Sequence, residues 1–102
     1  MANRVRGEIE AFLDGRQWTL CLTLGALAEL EASLAAGDLM GLARRFAAGS
    51  LSAGDAIRVI GAGLRGAGND VTDAAVAAMR VEGGAAAYVA IVAALLTATF
   101  GE

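Results

Sequence analysis

The sequence predicts a mostly helical α+β fold: a β-hairpin at about 4–22 followed by four to five helices within 23–100, in one domain spanning 1–102. Three observations carry this. A chain of 102 residues can close a single core but cannot hold a six-stranded dinucleotide fold with a separate substrate domain. About a quarter of the residues are alanine, proline is absent and aromatics make up 5%, a composition that favours helix over an all-β barrel. Apolar and polar residues alternate at strand period only near the N-terminus, and beyond it they recur at helical spacing.

In the first element Val5, Gly7, Ile9, Ala11 and Leu13 alternate with Arg6, Glu8, Glu10 and Phe12. Asp14-Gly15 follows, a pair suited to a type I′ turn because both central residues need positive φ. A two-residue turn there pairs Ala11 with Trp18, Ile9 with Leu20 and Gly7 with Leu22 on one face. Glu10 then pairs with Thr19, and Glu8 with Cys21, on the other. An isolated hairpin is marginal, so helices or another chain must cover its apolar face.

Thr23 can cap a helix whose Leu24, Leu27, Leu30 and Leu34 make one stripe, with Glu29 and Glu31 off it and Gly37 as its stop. Asp38 opens a shorter helix carrying Leu39, Leu42 and Phe46. Arg44 and Arg45 lie near its C-terminus, where positive charge suits the helix dipole, and Ala48-Gly49-Ser50 ends it. The acidic and basic pairs are read as solvated helix charges without chemistry. Ser52 and Asp55 approximate a capping box ahead of Ala56, Ile57, Ile60 and Leu64. Thr72 caps a short helix from Asp73 to about Arg80, with Val76 and Met79 as contacts, and Glu82-Gly83-Gly84 forms a joint.

The last helix, Ala85 to Phe100, has no polar face. Tyr88, Ile91, Val92, Leu95 and Thr99 form one side, and Ala86, Ala90, Ala94 and Ala98 a strip of small residues. Such a helix is normally buried on all sides, so a central position is the first expectation and a partner-facing surface the second. A membrane span is not favoured, because alanine contributes little to insertion and the flanking charges are glutamates.

One string resembles a nucleotide fingerprint: Val59-Ile60-Gly61-Ala62-Gly63-Leu64-Arg65-Gly66. A working G-x-G-x-x-G needs a strand ending at the first glycine and a helix opening near the third. Here the surrounding spacing is helical from Ser52 onward, and Ala67-Gly68-Asn69-Asp70 terminates a helix. No cofactor is expected. Gly61 and Gly63 each cost a helix about 1 kcal/mol against alanine, and close approach of another backbone is the compensation expected, whether from the C-terminal helix or from a partner.

The net charge is −3, and the eight basic residues are scattered arginines, which speaks against nucleic-acid binding. Without histidine and with Cys21 as its one cysteine, the chain offers no zinc or haem spacing and no internal disulfide, so no metal site is expected. Cys21 reads as a buried or half-buried thiol in a reducing compartment, and the N-terminus lacks the apolar core of a signal peptide.

Several strings together resemble a small family of gene transfer agent tail proteins. They are Arg6-Gly7-Glu8-Ile9; Leu13-Asp14-Gly15-Arg16, leading into Trp18 through Glu31; Leu51 through Ile57; Gly61 through Gly66; and Met79 through Gly84. That family is similar to tail assembly chaperones of long-tailed phages. The resemblance covers nearly the whole chain, and its specificity lies in the order of the strings and the total length. It implies a non-enzymatic role in the bacterial cytoplasm as a tail assembly chaperone. The implied partners are the tape measure protein, with the tail tube protein as a further candidate, together with self-association and no membrane or nucleic acid. A structural minor component of the assembled tail is the alternative, and a small-molecule-binding or enzymatic domain a distant third. The hairpin and the C-terminal helix are the expected contact elements, with Val89, Leu96 and Phe100 as anchors. No catalytic residue is assigned.

Overall fold

The computed structural model describes residues 7–34 and 39–101. Its elements run β1 (Glu8–Leu13), β2 (Arg16–Cys21), α1 (Leu24–Ser33), α2 (Leu39–Ala47), α3 (Ala53–Gly66), α4 (Asp73–Ala77) and α5 (Gly84–Phe100). The mostly helical α+β architecture expected from the sequence is the one observed. Val5 and Arg6 as strand residues, Gly37 as a stop and Asp38 as a cap lie outside the described residues.

The hairpin has the register that its turn dictates, from Leu13 opposite Arg16 to Glu8 opposite Cys21; the ladder stops there, so Gly7, at φ 80°, and Leu22, expected as a further pair, lie outside the strands. Asp14 and Gly15 both have positive φ, at 54° and 81°, as a type I′ turn requires. Ile9, Ala11, Leu13 and Leu20 are buried where the sheet meets α3 and α5. The turn is also tied down from outside, because Asp14 N–H donates to the Arg80 carbonyl at 2.8 Å. Trp18 is half-buried, donates from Nε1 to the Leu13 carbonyl, and carries the Arg16 guanidinium 3.9 Å from its ring centre.

Three helix starts follow their caps. Thr23 Oγ1 accepts from Ala26 N–H and Thr72 Oγ1 from Ala75 N–H. Ser52 and Asp55 complete a reciprocal capping box. Helix α3 ends in a Schellman arrangement: Gly68, at φ 95°, donates to the Arg65 carbonyl, and Asn69 N–H reaches the Leu64 carbonyl. Asn69 Nδ2 then donates to the Thr19 carbonyl, pinning this loop to β2.

Three boundaries and positions differ from expectation. Helix α1 stops at Ser33, with Leu34 already extended as its C-cap, earlier than the sequence spacing suggests. Leu24 is exposed because it opens the helix, and Ala26 takes the buried place near that end. Helix α4 stops at Ala77 rather than near Arg80. Met79 and Arg80 instead run past the hairpin turn, where the Arg80 carbonyl accepts from Asp14.

The centre of the domain is α3. Its residues Val59 through Leu64 are all buried, and β2, α1, α4 and α5 pack around it. The glycines make this possible, although not quite as the sequence suggested. A methyl group on Gly63 would lie 2.7 Å from Leu95 Cδ2 and 3.3 Å from Leu20 Cβ, and one on Gly61 would run into the Asp73 carboxylate. These neighbours are side chains. Backbone approach occurs at Gly66, where a methyl group would meet the Cys21 carbonyl oxygen.

Two of the charges expected to be solvated, Glu29 and Arg45, join helices instead. Arg65 donates to Glu29 on α1 at 2.8 and 3.0 Å and lies 3.0 Å from Asp73 on α4. These partners, Glu29 first, raise its pKa further. Arg45 on α2 forks onto Asp55 of α3 through two 2.9 Å bonds. Asp55 is buried, and the Arg45 hydrogen bond holds its carboxyl below the ordinary 3.8 against the opposing effect of burial. A lowered carboxyl pKa contributes stability that is fully present above 3.8 and is lost as pH falls through the folded value. In denaturant titrations from pH 7 downward, the unmodified chain is expected to lose stability below that point. Asp55→Asn should be weaker already at pH 7, by about 1–2 kcal/mol, and should show a shallower acid loss.

Candidate functional site on the last helix

Helix α5 was expected at the centre of the core, and the structure corrects this. Of its residues only Val92 and Leu95 are fully buried. The inward side is the one the sequence indicated, with Tyr88, Ile91 and Thr99 half-buried beside them. Tyr88 satisfies its hydroxyl on the Met79 carbonyl at 3.1 Å, and Thr99 on the Leu95 carbonyl at 2.7 Å. The central place is taken by α3, whose glycine-bearing face accepts Leu95. The outer side of α5 therefore remains uncovered while carrying no charged residue.

Val89, Leu96 and Phe100 fall on one flank of this helix. Spacings of seven and four place them in line, and Ala93, which the sequence reading passed over, fills the gap to give an i, i+4, i+7, i+11 series. Val89 is 49% and Phe100 62% exposed, whereas Leu96 is half-buried. Two apolar grooves border the stripe. The first, of about 340 Å³, sets Val89 and Ala85 beside Leu51, Ala56, Ile57 and Ile60. The second, of about 190 Å³, sets Leu96 and Phe100 beside Leu27 and Leu30 of α1 and Leu39, Leu42 and Phe46 of α2. The expected anchors thus lie on one helix flank but line two separate grooves. Phe12, 60% exposed on the outer face of the hairpin, is a further apolar group outside this stripe.

The surface offers apolar contact and little polar chemistry. Gly61, Gly63 and Gly66 lie within α3 and so cannot cradle a phosphate at a helix N-terminus. Among the described residues no helix is long and apolar enough to cross a membrane, and no cluster of acidic or sulfur side chains could hold a metal ion. An uncharged helix face of this length, about 25 Å, is suited to covering by another protein surface.

The described residues thus form a hairpin-plus-helices domain with an open apolar helix flank. Residues 6–102 match the family described as phage tail tube protein, GTA-gp10, and the chain belongs to that family. Comparison with curated proteins and with solved structures returned no match. Membership supports the gene transfer agent and phage tail assignment and corrects its finer part. The family is named for a tail tube, a structural component and not an enzyme class, so the reading of this chain as a chaperone holding the tape measure protein is overturned in favour of the structural alternative.

If the stripe is surface and the inward side is core, charge insertion should separate them. Val89→Glu and Phe100→Glu are expected to keep the fold, within about 0.5 kcal/mol of the unmodified chain. Leu95→Glu, which buries an unpaired carboxylate, should abolish cooperative unfolding. Thermal melts followed by circular dichroism check both.

Proposed function

We propose that this chain is a structural subunit of a phage-like tail, and that it associates with further copies of itself through the outer flank of α5. The supporting observation is the uncharged, partly exposed series Val89, Ala93, Leu96 and Phe100 in a member of a tail tube family. Water contact at such a surface is unfavourable, and covering it by a second copy removes apolar area at about 25 cal/mol per Å². The adjoining grooves give incoming side chains somewhere to sit, which supplies the geometric fit that a flat apolar patch lacks. A tube requires a contact that repeats from copy to copy. A head-to-tail contact closes into rings or continues as a filament, whereas a two-fold contact stops at a dimer.

No step in this role calls for a catalytic group, a metal or a cofactor. Specificity lies in shape and in the absence of charge along the flank. A single glutamate in the stripe would place a carboxylate in the contact without a partner.

Sedimentation velocity over a concentration series is expected to show assemblies larger than a monomer for the unmodified chain. Association of Val89→Glu and Phe100→Glu should be weakened at least tenfold, a loss of about 1.4 kcal/mol. A strictly monomeric chain at the highest concentration, or unchanged association of both variants, would contradict the proposed surface. Mass spectrometry of purified particles is expected to find this chain in the finished tail, and its absence there would contradict the structural role.

A further inference from the structure

The helices differ in how they are held. Around α3, neighbouring elements approach closely, and the Gly63 and Gly66 positions leave no space for a methyl group. Helix α2 is different. Its backbone comes close to the other described elements at few points, so it meets the domain mostly through side chains. Leu42 is its one buried residue; Leu39 and Phe46 are half-buried, and Met40 is 64% exposed. The contact is incomplete, because the groove of about 190 Å³ remains between α2, α1 and the end of α5. Asp55, which accepts the Arg45 fork, sits in the first turn of α3 and is fixed there by its own capping bond from Ser52 N–H at 3.2 Å.

We propose that α2 is a releasable strap, clipped across the C-terminal half of α5 by the fork from Arg45 Nε and Nη2 to the Asp55 carboxylate. Release of the strap opens the groove beside Leu96 and Phe100 and uncovers Leu30 and Leu42. The clip is built for reversible use. Asp55 stays satisfied on the α3 side by its capping bond and by Arg58, 4.0 Å away, when Arg45 departs. Arg45, with its side chain 36% exposed, can return to water. Neither partner is left as an unpaired charge in a closed interior, so parting them is far less costly than breaking a fully buried pair. The C-terminal hinge is Gly49, at φ 73° and open to solvent, with no atom in the space a side chain would occupy. The strap is independent of the self-association reading, since its opening can be followed in the monomer.

Hydrogen exchange on the full chain, read by mass spectrometry at neutral pH, tests this directly. In the unmodified chain, amides of 43–47 are expected to exchange faster than those of α3 and the hairpin. Arg45→Gln removes the clip and leaves the Ser52–Asp55 cap in place. It should accelerate 43–47 at least tenfold relative to α3. Arg45→Ala, which likewise leaves the Ser52–Asp55 cap in place, provides the same reading should Arg45→Gln not fold. Equal acceleration in all elements would mean that α2 opens only with the whole domain, and no acceleration at 43–47 would mean that the fork does not hold it. Either result overturns the strap.

Discussion

The architecture depends on how closely other elements approach α3. At Gly66 the helix meets the Cys21 carbonyl of β2, and at Gly63 it receives Leu95 of α5 and Leu20 of β2. Hydrogen on Cα in place of a methyl group lets sheet and helix meet along one edge. The conformational cost of glycine in a helix is offset by the burial this permits. The capping box at one end and the Schellman turn at the other hold α3 in position, so that the close contacts fall at the right residues.

Because α3 occupies the centre, α5 cannot. A small domain has room for one enclosed helix, and the second apolar helix must lie against it with one side only. Val92 and Leu95 face inward, and the flank through Val89 and Phe100 faces water. The open apolar flank is therefore a packing consequence of the glycine edge, expressed through a helix that carries no charge to make its outer side soluble. Helix α2, placed against the far end of that flank by a polar fork, lies where covering and uncovering would change how much of the surface is open.

Much of this was legible in the sequence wherever the signal was local. The Asp14-Gly15 turn and the alternation before it set the register from Leu13–Arg16 to Glu8–Cys21, though not the further pair Gly7–Leu22, and Thr23, Ser52 and Thr72 marked three helix starts. The helical spacing after Ser52 was enough to set aside the nucleotide fingerprint. What was not legible depends on residues far apart in the chain. Nothing around Glu29 announces Arg65, and nothing around Arg45 announces Asp55, because each pairing follows from how helices dock. Gly66 read as the end of a string, and its role appears only when Cys21 is beside it. The position of α5 was missed for the same reason: an all-apolar helix is compatible with a centre or with an interface, and competition with α3 decides between them. Val89, Leu96 and Phe100, expected as contact anchors, fall on one flank of α5. Tail membership was legible in the order of the strings, but chaperone and tube are both contact roles without chemistry, and residue patterns do not separate them.

The sign of one free-energy change tests the central claim. Alanine for glycine in a helix with open space around it stabilises by up to about 1 kcal/mol, whereas forcing a methyl group against a fixed carbonyl costs about 1–3 kcal/mol. Denaturant unfolding of Gly66→Ala is expected to show a net loss of stability. A net gain would mean that β2 does not press on α3 at that point, and that the packing described here around the central helix is wrong.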